Sequence, residues 1–150
     1  MLAFLVDAYR EEEVRGEKRV LLRLHADLAP IKIAVLPLLK KRDEIVARAR
    51  EIQGRLARRW VSVYDDTAAI GRLYRRQDEV GTPYCVTVDV QTVGDRERGE
   101  TGDAKVTIRE RDSMDQIRVP VTELETVFRE LLTDGVPWST VGARYPAMKS

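Results

Sequence analysis

Three arginines, Arg72, Arg75 and Arg76, fall within one segment that the sequence predicts to be helical, residues 67–80. Successive helical residues are about 100° apart, so these arginines lie with Glu79 on the side opposite a largely apolar stripe. The stripe consists of Ile70, Leu73, Tyr74, Gln77 and Val80. Guanidinium groups bind phosphates and base edges through paired hydrogen bonds, which would make the arginine face a nucleic-acid platform. The same face could instead be solvated, with an arginine–glutamate pair contributing about 0.2–0.5 kcal/mol, and the residues alone leave both interpretations open.

The other reactive side chains do not form a catalytic set. His25 is the sole histidine and Cys85 the sole cysteine, so no multi-ligand metal site is expected, and His25 is assigned a structural or surface role. Cys85 lies within a predicted strand and is expected to pack as a small hydrophobe. Asp65 and Asp66 end a predicted strand just before a helix, which favours an N-cap and turn over a carboxylate pair for acid–base chemistry or magnesium. The sequence contains no phosphate-binding loop and no Gly-x-Ser-x-Gly motif, so no catalytic residues are expected in this chain.

Composition and charge restrict the class of protein. The chain has 150 residues, 43% hydrophobic and 34% charged, which is typical of one well-folded domain. Its net charge of +1 gives no overall attraction to nucleic acid, so any such binding must come from local clustering. A single cysteine excludes a disulfide framework, and no signal peptide or apolar run of about 20 residues is present. A cytoplasmic protein is expected.

The hydrophobic periodicity predicts an α/β fold with a mixed five-stranded sheet flanked by helices. From residue 31 the predicted order is β-α-β-α-β-β-β-α, parallel early and antiparallel late. Asp43 and Thr122 are predicted N-caps, the latter in a capping box with Glu125, and Gly81 is predicted to end the arginine-bearing helix. The predicted elements are a helix over 1–13, a short strand over 20–24, a strand over 31–36, a helix over 43–59, a strand over 60–66, a helix over 67–80, a strand over 83–93, strands over 104–112 and 116–121, and a helix over 122–135.

Several longer motifs resemble one enzyme family. The segments "LAPIKIAVLPL", "YDDTAAIGRLYRRQDEVGTPYCVTVD" and "VTIRERDSMDQIRVPV", with the tail "VPWSTVGARYP", resemble the C-terminal part of the homodimeric class II glycyl-tRNA synthetases. The resemblance implies an anticodon-binding domain of the kind that glycyl-, threonyl-, prolyl- and histidyl-tRNA synthetases share. It also implies a mixed five-stranded sheet, in agreement with the periodicity.

The resemblance further implies which residues contact RNA. Arg72 matches a family arginine that reaches the anticodon bases, and Asp89 matches an aspartate on the following strand. The next family position is commonly aromatic, whereas this chain has Val90. The expected RNA-contacting residues are Arg72, Arg75, Arg76, Asp78, Glu79, Asp89 and Val90. A hairpin motif, Arg109, Arg111, Asp112, Ser113 and Met114, is interpreted as structural, its arginines and aspartate holding two strands in register.

The family also implies a division of the chain and a set of partners. Residues 1–25 would belong to the end of a catalytic domain, and residues 26–150 would form the anticodon-binding domain with its C-terminal tail. No cofactor is expected in this part, whereas the full-length enzyme would use ATP and Mg²⁺ to join glycine to its tRNA. The expected partners are the anticodon loop of tRNA(Gly), the catalytic domain of the same chain and a second copy in a homodimer. The alternatives are a non-catalytic interaction or dimerisation module and, from the parallel strands alone, a small-molecule-binding domain.

Overall fold

A computed structural model describes the backbone of residues 9–14, 17–22 and 28–148, and the side chains of residues 28–148. The strands are β1 (Tyr9–Val14), β2 (Glu17–Leu22), β3 (Ile33–Pro37), β4 (Ser62–Tyr64), β5 (Tyr84–Val88), β6 (Gly94–Asp95), β7 (Glu100–Thr101), β8 (Lys105–Glu110), β9 (Gln116–Pro120) and β10 (Ala147–Met148). The helices are α1 (Asp43–Leu56), α2 (Ile70–Val80), α3 (Val90–Val93), α4 (Leu124–Phe128) and α5 (Trp138–Gly142). A 3₁₀ turn (Val121–Glu123) precedes α4, and a π-helical turn (Arg129–Thr133) follows it.

Within the described residues, six strands form one mixed sheet in the order β10-β9-β8-β5-β3-β4. Strand β3 is parallel to both of its neighbours, β4 and β5, whereas β5, β8, β9 and β10 pair antiparallel. The predicted mixed sheet, parallel early and antiparallel late, is therefore confirmed. The unpredicted sixth strand, β10, is a two-residue segment of the tail that pairs with β9, too short for any periodicity to reveal.

The sheet has a large core on one face and a smaller one on the other. Helix α1 buries Ile45, Ala49, Ile52 and Leu56 against β3 and the C-terminal helical segment, while Val46, predicted for the same stripe, is half-buried. On the opposite face, α2 packs on the sheet. The smaller core on this face consists of Leu73 of α2 and three strand residues, Ala34, Leu36 and Cys85. Cys85 thus packs as a small hydrophobe, as predicted, and helices cover both faces of the parallel strands.

The structure corrects the helix predicted over residues 1–13. Residues 9–14 form β1, which pairs antiparallel with β2 from Tyr9↔Leu22 to Val14↔Glu17. The short strand predicted over 20–24 is correspondingly longer toward its N-terminus. The helix prediction was wrong because it used only the hydrophobic periodicity of the segment itself. That periodicity does not show that the backbone pairs with a second strand. Residues 1–8 and His25 lie outside the described residues.

Three predicted boundaries also shift. Asp43 is the first residue of α1 rather than its cap, because the N-cap position is Arg42. The strand predicted over 83–93 ends at Val88, and Asp89 instead caps the short helix α3. Thr122 makes no capping hydrogen bond: the helical segment begins after Pro120, where the Val121 N–H donates to the Ala104 carbonyl at 2.8 Å. A loop carbonyl therefore satisfies the amide group that opens this segment.

Candidate nucleic-acid interface

Helix α2 begins at the carboxyl edge of the three parallel strands. The loop that leaves β4 returns to the sheet through a hydrogen bond from the Asp65 N–H to the Val35 carbonyl, 3.3 Å. Because only five residues separate the end of β4 at Tyr64 from the start of α2 at Ile70, the first turn of α2 lies at that same edge. The first turn carries Arg72, whose position is therefore set by the strand ends.

The outward face of α2 agrees with the helical pattern. Leu73 and Gln77 are buried against the sheet, whereas Arg72, Arg75 and Glu79 are exposed. Within residues 28–148, Arg72 forms no hydrogen bond or ion pair, so its guanidinium is available to a ligand. Val80 departs from the pattern because it is exposed beside Gly81, whose left-handed conformation (φ 81°) ends the helix as predicted.

Arg76 has an intramolecular partner in the β4–α2 loop. Its guanidinium donates to Asp65 Oδ2 at 2.6 Å and to Thr67 Oγ1 at 2.6 Å. Asp65 also accepts from the backbone N–H and the hydroxyl of Thr67, which closes the loop turn but does not cap α2. Burial raises the pKa of Asp65, but the hydrogen bonds from Thr67 and Arg76 outweigh it, so the pKa lies below its usual value. The Asp65–Arg76 pair therefore ties the middle of α2 to the loop that precedes the helix, and Asp66 accepts a hydrogen bond from the Tyr64 hydroxyl.

Asp78 faces the protein interior. It is 2% exposed, and its carboxylate forms two hydrogen bonds, 3.1 and 3.2 Å, with the guanidinium of Arg109 on β8. The same guanidinium lies over the ring of Tyr74 at 4.7 Å, and Tyr74 is hydrogen-bonded to Thr87 on β5. This arrangement joins α2 to two strands of the sheet. The arrangement gives Asp78 a packing role in the domain.

Asp89 is held at the end of β5. Its carboxylate caps α3 by accepting from Thr92, and it forms a paired interaction with Arg118 of β9 at 2.8 and 3.2 Å. Arg118 also contacts Asp103 at 3.0 Å. Burial lowers the pKa of Arg118, but the hydrogen bonds to both aspartates outweigh it and keep the guanidinium charged. Val90, next to Asp89, is half-buried and packs against the large core.

Sequence reasoning missed Arg118 and Asp103. The available signal was an arginine in the middle of the otherwise apolar strand "QIRVP", which lies on the α2 face of the sheet opposite Thr107. A buried arginine needs an acidic partner, but its partners lie 29 and 15 residues away in sequence. The sequence alone therefore indicates that a partner is needed without identifying it.

The hairpin motif between β8 and β9 is structural, and Arg111 pairs with Asp112 at 2.8 Å as the predicted arginine–aspartate pair of the turn. Both arginines also make contacts with α2 that the sequence did not indicate. Arg109 reaches α2 through Asp78, and Arg111 donates to the Gly81 carbonyl at the end of α2. The turn itself is closed by Glu110, which accepts from the backbone of Asp112 and Ser113, and Met114 adopts a positive φ of 61°. The motif thus anchors α2 to the sheet as well as setting the strand register.

Among the side chains of residues 28–148, no group of three histidine, cysteine or acidic residues is placed to hold a metal ion. No helix in residues 9–14, 17–22 and 28–148 is long and apolar enough to cross a membrane.

The fold and the arginine-bearing edge define a class of protein. Residues 32–131 match the family described as "Anticodon binding domain", and the chain belongs to this family. The prolyl-tRNA synthetase from Cryptosporidium parvum, complexed with halofuginone and AMPPNP, shares this fold with a TM-score of 0.64. It is 21% identical, and the match covers 82% of this chain and 24% of that one. The RNA-binding domain of the threonyl-tRNA synthetase from the same organism gives a TM-score of 0.54 at 23% identity, covering 67% of this chain and 23% of the other.

Two relatives identified by sequence similarity are glycine–tRNA ligases. The glycine–tRNA ligase of Caldanaerobacter subterraneus subsp. tengcongensis is 50% identical over 132 residues, which are 88% of this chain and 26% of the ligase. The glycine–tRNA ligase of Thermus thermophilus is 48% identical over 136 residues, 88% of this chain and 27% of the ligase. The chain therefore spans about a quarter of the length of these relatives, and the resemblance noted in its motifs is confirmed.

Proposed function

We propose that this chain binds the anticodon loop of tRNA(Gly) as part of a glycine–tRNA ligase. The observation that carries the proposal is the 50% identity to a glycine–tRNA ligase across 88% of the chain. The exposed, unpaired Arg72 at the carboxyl edge of the sheet supports it, because arginine is suited to the base edges that an unstacked RNA loop presents.

The proposal gives the expected residues different roles. Arg72 contacts a base, and Arg75 and Glu79 extend the contact surface because their side chains are exposed on the same helix. Arg76 contributes through the exposed part of its side chain, which is 42% exposed beside Asp65.

Asp89 and Asp78 also have different roles in the proposal. Asp89 stays a candidate acceptor for a cytosine amino group because its carboxylate is 17% exposed beside Arg118. Asp78 is assigned to packing because Arg109 occupies its buried carboxylate, and Val90 lines the core side of the interface.

The remaining expectations belong to the whole enzyme. We infer a homodimer in the cytoplasm in which another domain of the same chain uses ATP and Mg²⁺ to attach glycine to the tRNA. Residues 1–25 are assigned to that domain and residues 26–150 to anticodon recognition, and the family match beginning at residue 32 supports this division. The buried single thiol of Cys85 supports a reducing compartment.

A titration with an anticodon stem-loop tests the proposal. The wild-type chain should bind the tRNA(Gly) stem-loop and discriminate against a stem-loop in which the two anticodon cytosines are replaced by adenines. Arg72→Ala should weaken binding by about 1–3 kcal/mol because a base contact is lost. Arg58→Ala is the matched control, since Arg58 is an exposed arginine beyond the C-terminal end of α1, at the amino edge of β4. Equal affinity for both stem-loops, or equal effects of the two variants, would contradict the proposal.

A further inference from the structure

The loop between β3 and α1 exposes two leucines followed by three cations. Leu38 and Leu39 are 39% and 45% exposed, and the next residues are Lys40, Lys41 and Arg42. The two leucines are adjacent to each other and to the cationic residues, so this loop presents apolar and positively charged surface side by side. None of these residues is among those that the family resemblance assigns to RNA contact.

The loop lies at the same sheet edge as Arg72. The Leu38 N–H donates to the Val88 carbonyl at 2.9 Å, which places the loop beside the ends of β3 and β5. Helix α1 packs on one face of the sheet and α2 on the other, so the chain leaves the neighbouring strands β3 and β4 toward opposite faces. Such a divergence opens a crevice at the carboxyl ends of parallel strands, and this is where ligands bind in open α/β sheets. Residues 38–42 lead from this edge to α1 on one face, and Arg72 lies in the first turn of α2 on the other face.

The charge of the loop is only partly neutralised. Arg42 lies 4.0 Å from Glu44, and a groove between the loop and the β6–β7 hairpin is lined by Lys41, Arg42 and Arg96 together with four acidic residues. The acidic residues are Asp43, Glu44, Asp95 and Glu97. Neither Lys40 nor Lys41 forms an ion pair within residues 28–148, and Lys40 lies outside that groove. Two ammonium groups are thus available to an anionic partner.

We infer that residues 38–41 form a second wall of the RNA-binding surface, on the other side of the crevice from Arg72. Lys40 and Lys41 contact backbone phosphates, and Leu38 and Leu39 cover the face of an unstacked base or its ribose. A single-stranded RNA loop offers both partners side by side, since its phosphates are anionic and its unstacked bases have apolar faces. This inference rests on the proposed anticodon-loop function and assigns a further segment of the chain to it.

A charge-matched comparison tests the phosphate contacts. Lys40→Gln/Lys41→Gln removes two positive charges from the carboxyl edge, and Arg58→Gln/Arg59→Gln removes two exposed positive charges from the amino edge of β4. With the tRNA(Gly) anticodon stem-loop, the lysine variant should raise Kd about 3- to 10-fold at low salt. It should also reduce the slope of log K against log salt by about 1.4, which is about 0.7 for each single-strand phosphate contact. The arginine variant should change Kd less than about 2-fold, because its charges act only at long range.

A second pair of variants tests the apolar contact. Leu38→Ser/Leu39→Ser should raise Kd at least about 3-fold without changing the salt slope, because no charge is removed. Val61→Ser is the control, since Val61 is 58% exposed at the amino edge and its loss should leave Kd unchanged. Thermal unfolding of each variant monitors the fold. If a loop variant is unfolded, amide chemical-shift changes of residues 38–42 in the wild-type chain on adding the stem-loop decide the question.

The outcomes separate this inference from the function on which it rests. If the wild-type chain does not bind the stem-loop, the proposed function and the assignment of residues 38–41 are both overturned. If the wild-type chain binds and Arg72→Ala weakens binding, but the loop variants match their controls, only the loop assignment is overturned. The same holds if the amides of residues 38–42 do not respond to the RNA. Reduced affinity of both loop variants, with a lower salt slope for the lysine variant alone, supports the inference.

Discussion

Replacing Asp78 with alanine would leave the guanidinium of Arg109 buried beneath α2 without a counter-charge. The two side chains are 2% and 8% exposed and share two hydrogen bonds of 3.1 and 3.2 Å. Breaking a buried ion pair from one side costs about 3–5 kcal/mol, chiefly because the remaining charge stays desolvated. The stability of a domain this size is about 5–15 kcal/mol, so the variant should fold but with a much smaller margin.

Urea unfolding followed by circular dichroism measures this loss. With an m-value of about 2 kcal/mol per M, a loss of about 4 kcal/mol lowers the midpoint by about 2 M. Asp78→Leu/Arg109→Met is the matched control because it removes both charges and keeps apolar volume in the site. Its free energy of unfolding should lie within about 1 kcal/mol of the wild-type value, or above it.

Two results would refute the reasoning about Asp78. A loss below about 1 kcal/mol in Asp78→Ala would mean that Arg109 is solvated or finds another partner. A variant of wild-type stability that fails to bind the anticodon stem-loop would mean that Asp78 is an RNA ligand, contrary to its packing role. The double variant separates these cases, since it should bind RNA normally if Asp78 acts only through the fold.

Two further predictions concern the reactivity of the Cys85 thiol and the loss of stability at acidic pH. Burial raises the pKa of Cys85 to about 12, so iodoacetamide at pH 8 should label it only as fast as the protein unfolds, and rapid labelling in the native state would contradict the packing. The pKa of Asp65 is lower in the folded chain than its unfolded value of about 3.9, so its stabilisation is present above that pH and is lost as pH falls through the folded pKa. Asp65→Asn should therefore be less stable than wild type at pH 7, and the difference in unfolding free energy should shrink as pH falls below about 3.9, as measured by urea unfolding across this range. A difference that does not change with pH would point to another cause.

The arginine-bearing helix combines a fixed inner side with an open outer side. Arg109 and Arg111 hold its C-terminal end against the sheet, and the Asp65–Arg76 pair ties its middle to the β4–α2 loop. These contacts hold the backbone of α2 in place while Arg72 stays exposed. If Arg72 binds RNA as proposed, a helix held in this way loses less conformational entropy on binding.

Local patterns in the sequence were sufficient for the central strands β3, β4, β5, β8 and β9, for α1, and for the orientation of α2. The spacing of Leu73 and Gln77 placed them inward, and the spacing of Arg72 and Arg75 placed them outward, as the structure shows. The apolar stripe of α1 and the order of parallel and antiparallel strands followed from the same kind of pattern. The quoted motifs identified the family, because they preserve residue type and spacing over most of the chain.

The partners of the charged residues were decided only by the tertiary structure. Asp78 and Asp89 both resembled RNA ligands in the sequence, yet one pairs with Arg109, 31 residues away, and the other with Arg118, 29 residues away. Helical and strand periodicity is a property of neighbours along the chain and can place a side chain on a face. An ion pair depends on strand order and register, which bring distant residues together only after the sheet has formed. For the same reason, the β1–β2 hairpin and strand β10, whose backbone hydrogen bonds go to other segments, became visible only in the fold.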